Sequence, residues 1–394
     1  MNPSFHYPFI TPDSIMRKTL LAAALLGTLL SPVHASAAEV SREAVVQQYS
    51  QIVFASYEDS LLTAKALQNA INAFVAAPSE AGLNQARQAW LAAREPYGQT
   101  EAFRFYGGPI DDARGPEGQI NAWPLDEAYI DGVKGKPSAG VVNNRKVVIS
   151  KKLLSSLNER GGEENISTGY HAIEFLLWGQ DFDSNGAGKR SYTDFVDGQG
   201  NNADRRREYL KTAAELLVDD LGYLVAAWQP NSNNFRAKFE KKPDALRQML
   251  VGIGVLSRAE LAGERIEVAL DSRNQEDEHS CFSDNTHRDI VTNARGIQNV
   301  WLGEYTRVDG SLLKGASLRD LVAASNAKAA ERVTADMAAT QARAEAIKAP
   351  FDQEIVNKDG RSRVQATVAA LKKQASSLVE AAKAIGIKKL NVNG

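Results

Sequence analysis

Val364-Gln365-Ala366-Thr367-Val368-Ala369-Ala370-Leu371-Lys372-Lys373-Gln374-Ala375-Ser376-Ser377-Leu378-Val379-Glu380-Ala381-Ala382-Lys383-Ala384-Ile385 is the stretch that decides the fold class. Val364, Val368, Leu371, Ala375, Leu378, Ala382 and Ile385 recur every three or four positions, with Lys and Arg on the other faces. That is one apolar stripe of an amphipathic helix. Residues 319–348 and 245–271 read the same way and are rich in good helix formers. From Ser41 to Ala77 the stripe is Val45, Tyr49, Ile52, Val53, Leu67, Ile71 and Phe74, and Pro78 stops it. Ser79 is placed to cap the next helix, which carries Leu83, Trp90 and Leu91 until Pro96 kinks or stops it. Alternating strand patterns are scarce, and Lys146-Val147-Val148-Ile149 is the best strand candidate. The expectation is an all-α protein of two helical-bundle domains joined by long Gly- and Asp-rich loops. The loops run from Gly107 to Lys136, Asp181 to Asn202 and Arg273 to Asp289, and loops this long often carry function. Pro230-Asn231-Ser232-Asn233-Asn234 marks a boundary, so the N-terminal helical domain is read at 38–230 and the C-terminal one at 231–394.

Residues 1–37 read as a secretory leader. Met16-Arg17-Lys18 is a basic start, Thr19 to Leu30 is almost wholly apolar, and Ala35-Ser36-Ala37 is a small-x-small cleavage site. The apolar run is shorter than the ~20 residues of a spanning helix. The expectation is export to the periplasm with no transmembrane segment after cleavage. The 394 residues are 43% hydrophobic and 24% charged with a formal net charge of −2, which suits a folded domain and argues against a broad nucleic-acid surface. One cysteine, Cys281, excludes an intrachain disulfide framework; burial is favoured for it over a thiolate ligand.

Three histidines follow the leader, all near acids. His171 and Glu174 lie i and i+3 on a helix that Thr168 or Ser167 can cap, beside the apolar wall Phe175-Leu176-Leu177-Trp178. An imidazole and a carboxylate so placed can share a zinc or iron ion. The structural alternative is a histidine paired with its own glutamate. Glu276 and His279 form a Glu-x-x-His pair in a segment that also holds Cys281 and His287. Asp181-x-Asp183-x-Asn185-Gly186 matches the start of a calcium loop, but Tyr192 stands where a bidentate Glu is required, so the segment reads as a turn. Arg205-Arg206-Arg207 reads as a solvated face. No Gly-x-Ser-x-Gly elbow, His-Glu-x-x-His motif or phosphate-cradling loop is present.

Four ordered blocks carry a resemblance. They are Trp90 through Glu101-Ala102-Phe103-Arg104-Phe105, then Asn121-Ala122-Trp123-Pro124-Leu125-Asp126, then Gly169-Tyr170-His171-Ala172-Ile173-Glu174-Phe175-Leu176-Leu177-Trp178-Gly179, and last Glu276 through Thr286. In these the chain resembles the imelysin family, also called the insulin-cleaving metalloproteinase or iron-regulated protein A family, and the third block looks like its Gly-x-His-x-x-Glu signature. The resemblance implies two helical domains, a periplasmic or outer-membrane-associated bacterial protein tied to iron acquisition, and a metal site at His171 and Glu174 between the domains. Glu101, Glu276 and His279 are expected to add ligands. The ligand implied is iron or haem, with Phe175 and Trp178 facing a macrocycle if it is haem, and the partners are membrane iron transporters. The alternative is a zinc metallopeptidase using His171 and Glu174, with Glu174 as ligand or base.

Overall fold

The structure is a computed structural model that describes residues Val40–Gly394; the leader read at 1–37 lies outside them. Ser41 opens the first helix, its hydroxyl accepting from the Ala44 amide, and α1 runs over Arg42–Ala76. Ser79 caps α2, Glu80–Thr100, through the Gly82 amide. Pro96 does not stop it: the helix continues to Thr100 and tightens into a 3-10 turn at Glu101–Phe103. The cost of a proline inside a helix is the loss of one amide donor and a clash with the preceding turn, and the packing of buried Trp90, Tyr97 and Phe103 overrides it.

α3, Gly169–Trp178, is short and buried at every position. Thr168 is its N-cap, but the capping expected of Thr168 or Ser167 is absent. The Thr168 hydroxyl donates to Asn158 and the Ser167 hydroxyl to the Leu154 carbonyl, so both hydroxyls tie the helix start to the preceding segment instead. Gly169 sits at φ +80°, and a Cβ there would meet the Ile120 carbonyl at 2.4 Å, so only glycine lets this helix dock on the turn before Asn121. At the other end Arg87 of α2 donates to the Leu177 carbonyl, and Trp90 Nε1 donates to the Tyr170 carbonyl. α4, Ala203–Trp228, closes this first group of helices against α1 and α3.

α5, Ala245–Val255, runs without a break into a π-helical segment, Leu256–Glu267, and ends at Ser272. α6, Thr286–Leu302, follows the Asp- and His-bearing loop. The continuous helix expected over 319–348 is divided. α7, Leu318–Ser325, stops at Asn326, whose side chain caps α8, Ala327–Glu345, through the Ala329 amide. α9, Phe351–Val356, leads into α10, Lys358–Ala384, the helix of the opening sequence. Its Val364, Leu371, Ala375 and Leu378 are fully buried, as the stripe requires. α10 packs on α8 and on the π-helical segment, and the seam with the first group is α2 against α6. Gly98 and Gly296 permit that approach: a Cβ on Gly296 would meet the Gln99 carbonyl at 2.2 Å.

The fold is all-α. Among the described residues the strands are β1, Glu304–Thr306, and β2, Leu312–Lys314, an antiparallel hairpin around Asp309-Gly310. Lys146–Ile149 is not a strand. Arg205 occupies the carbonyls of Val141, Val142, Asn144 and Val147, so the backbone there is bonded to a guanidinium rather than to another strand. The three arginines read as solvated are therefore clamps. Arg206 pairs with buried Asp131, and Arg207 with Asp197 and the Phe195 carbonyl. Among the described residues no helix is long and apolar enough to cross a membrane.

Candidate metal centre

Burying every residue of α3 puts its imidazole and its carboxylate where partners must come from within the protein. His171 Nδ1 and Glu174 Oε2 lie 2.8 Å apart, one helical turn from each other. The other carboxylate oxygen, Oε1, accepts from the Ser283 amide at 3.0 Å and its hydroxyl at 2.6 Å. His171 Nε2 is buried and has no hydrogen-bond partner. Burial, reinforced by the Arg94 charge, pushes His171 well below the usual imidazole range, so it is neutral. Burial raises Glu174 to about 8 against the opposing pull of Ser283. One proton between Nδ1 and Oε2 satisfies the pair.

The second imidazole comes from the far side of the chain. His279 lies with its ring centroid 4.9 Å from that of His171, and Trp123 packs on it at 5.3 Å. Its Nδ1 donates to Asp289 Oδ2 at 3.2 Å, and its Nε2 lies 3.4 Å from the Asn121 amide nitrogen. Burial and the Arg265 charge lower His279 to about 3, so this ring is neutral as well. Asp289, in the first turn of α6, also accepts from Arg94 of α2 at 3.0 Å and from the Ser280 hydroxyl. Burial would raise its pKa, but the Arg94 cation and the His279 hydrogen bond hold it below the carboxylate range.

Glu101 stands beside this pair rather than free to ligate. Arg265 and Arg104 each reach its Oε2 at 2.6 Å, and they overcome burial to hold it ionised below the usual range. Asn121 joins the parts: its carbonyl oxygen accepts from Arg94 at 2.5 Å, and its amide points to Glu101 and His279. Glu276 is not brought in. It is exposed on the turn Gln275–Asp277 and acts electrostatically on Glu127. The Glu276/His279 spacing does not form a helical pair because only a 3-10 turn carries Glu276. Cys281 is half-buried, and burial together with the Glu174 charge pushes its thiol up, away from the thiolate. Sequence spacing missed Arg94, Ser283, Asp289, Asn293 and Arg265, the last of which also donates to Asn293. Asn121 and Trp123 stood in a quoted block with no role attached.

The donors present fit a transition-metal ion in kind. Each imidazole has Nδ1 turned to a carboxylate, the orientation in which Nε2 serves as ligand. His171 Nε2 is the buried nitrogen without a partner. In the arrangement described, the four polar side chains do not converge three ligand atoms on one point. Among the described residues that convergence occurs at Asp181, Asp284 and Asp352.

Comparison with known proteins gives the family and the fold. Residues 53–378 match the family model described as Imelysin. The chain is 26% identical over 379 residues to iron-regulated protein A of Synechococcus elongatus, covering 92% of each chain. Its fold is similar to a crystal structure from Parabacteroides distasonis assigned as an iron-regulated protein A precursor, with a TM-score of 0.68, 19% identity and coverage of 87% of this chain and 96% of that one. It is also similar to an imelysin-like protein from Psychrobacter arcticum, with a TM-score of 0.61, 14% identity and the same coverages. At these identities the two structures speak for the fold alone. With its Gly-x-His-x-x-Glu helix buried against a second histidine, and the family match spanning most of its length, the chain belongs to the imelysin family.

Proposed function

We propose that this chain is an exported iron-binding protein whose ion is held at the seam of the 38–230 and 231–394 segments by His171 and His279. The observation that carries the proposal is the orphaned His171 Nε2 within 4.9 Å, ring to ring, of a second neutral imidazole. Glu174 and Asp289 orient the two rings, and Glu101 with Asn121 forms the surrounding charge network. Nitrogen donors backed by carboxylates suit iron. A bare ion is favoured over haem. Phe175 packs on Phe282 and Arg190, and Trp178 on Trp90 and Arg87, so the apolar walls are already taken. The relative's name, iron-regulated protein A, supports an iron-linked role. The periplasm, peripheral to the outer membrane, and membrane iron-transport partners fit the leader at 1–37 and such a role. A zinc peptidase has less support, because Glu174 is committed to His171 and Ser283 and is not free as a base.

Elemental mass spectrometry on protein purified without an affinity tag tests this, with an absorbance spectrum to detect haem. Iron near one equivalent, lost in His171→Ala and His279→Ala while helical content is kept, is the expected result. Zinc retained in its place would favour the peptidase reading. No metal after soaking with iron and zinc would make the pair structural.

A further inference from the structure

A second cluster of acids lies beyond the end of α3. Asp181 follows that helix by three residues, Glu278 and Asp284 belong to the loop that also carries His279, and Asp352 is in the first turn of α9. One carboxylate oxygen each from Asp181, Asp284 and Asp352 lies within 4.8 Å of the other two. Glu278 is only 2% exposed, no cation or amide satisfies either of its oxygens, and the groups within reach of them are the Thr286 hydroxyl and the Asp352 carboxyl. It borders the same group: its carboxyl reaches that of Asp352, which in turn reaches that of Asp284. One oxygen each of Asp181, Asp284 and Asp352 is buried without a partner.

This is unlike the buried acids Glu101, Asp289 and Asp131, each of which has an arginine. Glu101 has Arg104 and Arg265, Asp289 has Arg94, and Asp131 has Arg190 and Arg206. The nearest lysine of the loop, Lys189, is taken by Asp183. Four carboxylates gathered without a cation are a costly arrangement, because desolvation and mutual repulsion act together. The arrangement is also built rather than accidental: Gln353, next to Asp352, donates to the Ser184 carbonyl at 2.6 Å, and Gln275 donates to the Asp181 carbonyl at 2.8 Å.

We propose that Asp181, Glu278, Asp284 and Asp352 form a second, all-carboxylate cation site, separate from the imidazole centre, that takes a hard divalent ion of the calcium class. Calcium accepts oxygen ligands at ~2.3–2.6 Å in flexible geometry, so two ligands of one ion stand up to about 5 Å apart, which the 4.8 Å limit satisfies. Magnesium binds at ~2.0–2.1 Å in a strict octahedron and holds its waters, and zinc selects nitrogen and sulfur, so both suit the site less. The Asp181-x-Asp183-x-Asn185-Gly186 segment supplies one ligand and not a calcium loop: Asp183 is diverted to Lys189, and the remaining acids arrive from other elements. The ion would pin the loop whose Ser283 holds Glu174 to α9 and to the end of α3.

The experiment uses the full mature chain, freed of metal with a calcium chelator and melted with and without millimolar Ca2+ or Mg2+. Wild type, Asp284→Asn, Asp352→Asn and His171→Ala are compared. Calcium is expected to raise the melting temperature of wild type and of His171→Ala by about 2–4 °C or more, and magnesium to do far less. In chelator the two Asp→Asn variants are expected to melt above wild type, because a repelling charge is gone, and to ignore calcium. Terbium luminescence on wild type gives a reading independent of the variants, with bound terbium displaced by calcium. No calcium shift in wild type, an equal shift with magnesium, an undiminished shift in Asp352→Asn, or terbium that calcium does not displace would each overturn the proposal. The His171→Ala arm separates this site from the iron reading, since either can fail without the other.

Discussion

Ser283 donates both its amide and its hydroxyl to one oxygen of Glu174, a residue 109 positions earlier, at 3.0 and 2.6 Å. The Glu174 carboxylate is thereby fixed with its other oxygen on His171. Replacing Ser283 with Ala removes one of the two bonds and leaves a buried oxygen less satisfied. We expect a loss of about 1–3 kcal/mol in stability and a fall of about 10–100-fold in metal affinity, read by chemical denaturation and by metal titration.

Asp289 orients His279 and balances Arg94. Asp289→Asn keeps the shape and removes the charge, leaving a buried guanidinium without its anion. Breaking a buried pair costs about 3–5 kcal/mol, so this variant should lose more stability than Ser283→Ala, and its iron content after soaking should fall. An unchanged melting temperature would count against the charge network drawn around Asn121.

Gly296 of α6 faces the Gln99 carbonyl so closely that a Cβ would lie 2.2 Å from it. Backbone cannot yield as a side-chain tip can. Gly296→Ala should therefore cost at least about 1–3 kcal/mol by overpacking, and by parting α2 from α6 it should weaken the Arg94–Asp289 contact. A control at Gly222, where nothing lies within 4 Å, should be tolerated.

The pH dependence has two limbs in metal-free protein. Folded Asp181, Asp284 and Glu174 are raised to about 6, 7 and 8, with burial the main cause, against about 4 in the unfolded chain. Stability from a raised carboxyl is fully present below the unfolded value and is lost as pH rises through the folded one, between about pH 4 and 8. His171 and His279 are lowered by burial, so their share is present above about 6.5 and is lost as pH falls towards the folded values, about 3 for His279. Denaturant unfolding in chelator should show stability declining from pH 6 to 8.5, with the decline reduced in Asp284→Asn. A rise over that range would contradict the assignment.

Local periodicity made the helices legible, because each long helix buries one stripe and three or four positions suffice to show it. Ser79 was legible as a cap for the same reason, since a cap acts on its own first turn. What escaped was set by contacts distant in sequence. Pro96 looks like a stop until Trp90 and Tyr97 are seen buried beside it, and Arg205 looks solvated until its four carbonyl partners arrive from 141–147. The hairpin at 304–314 did leave a signal, the turn dipeptide Asp309-Gly310 between Tyr305-Thr306 and Leu312-Leu313. At the centre, His171 and Glu174 were visible as an i, i+3 pair and His279 as a histidine among acids. Their partners Arg94, Ser283 and Asp289 follow no spacing rule, because the distances that unite them are spatial.

The centre draws on residues from both sides of Pro230: His171 and Arg94 before it, His279 and Asp289 after it. Neither half alone holds two imidazoles with their orienting carboxylates. The pairings that close it span 108 to 195 positions of chain. Under the proposed function, occupancy of the centre would report that synthesis has run past residue 289 and that the two sets of residues have met. A chain cut short before that point lacks Asp289, the partner of both Arg94 and His279.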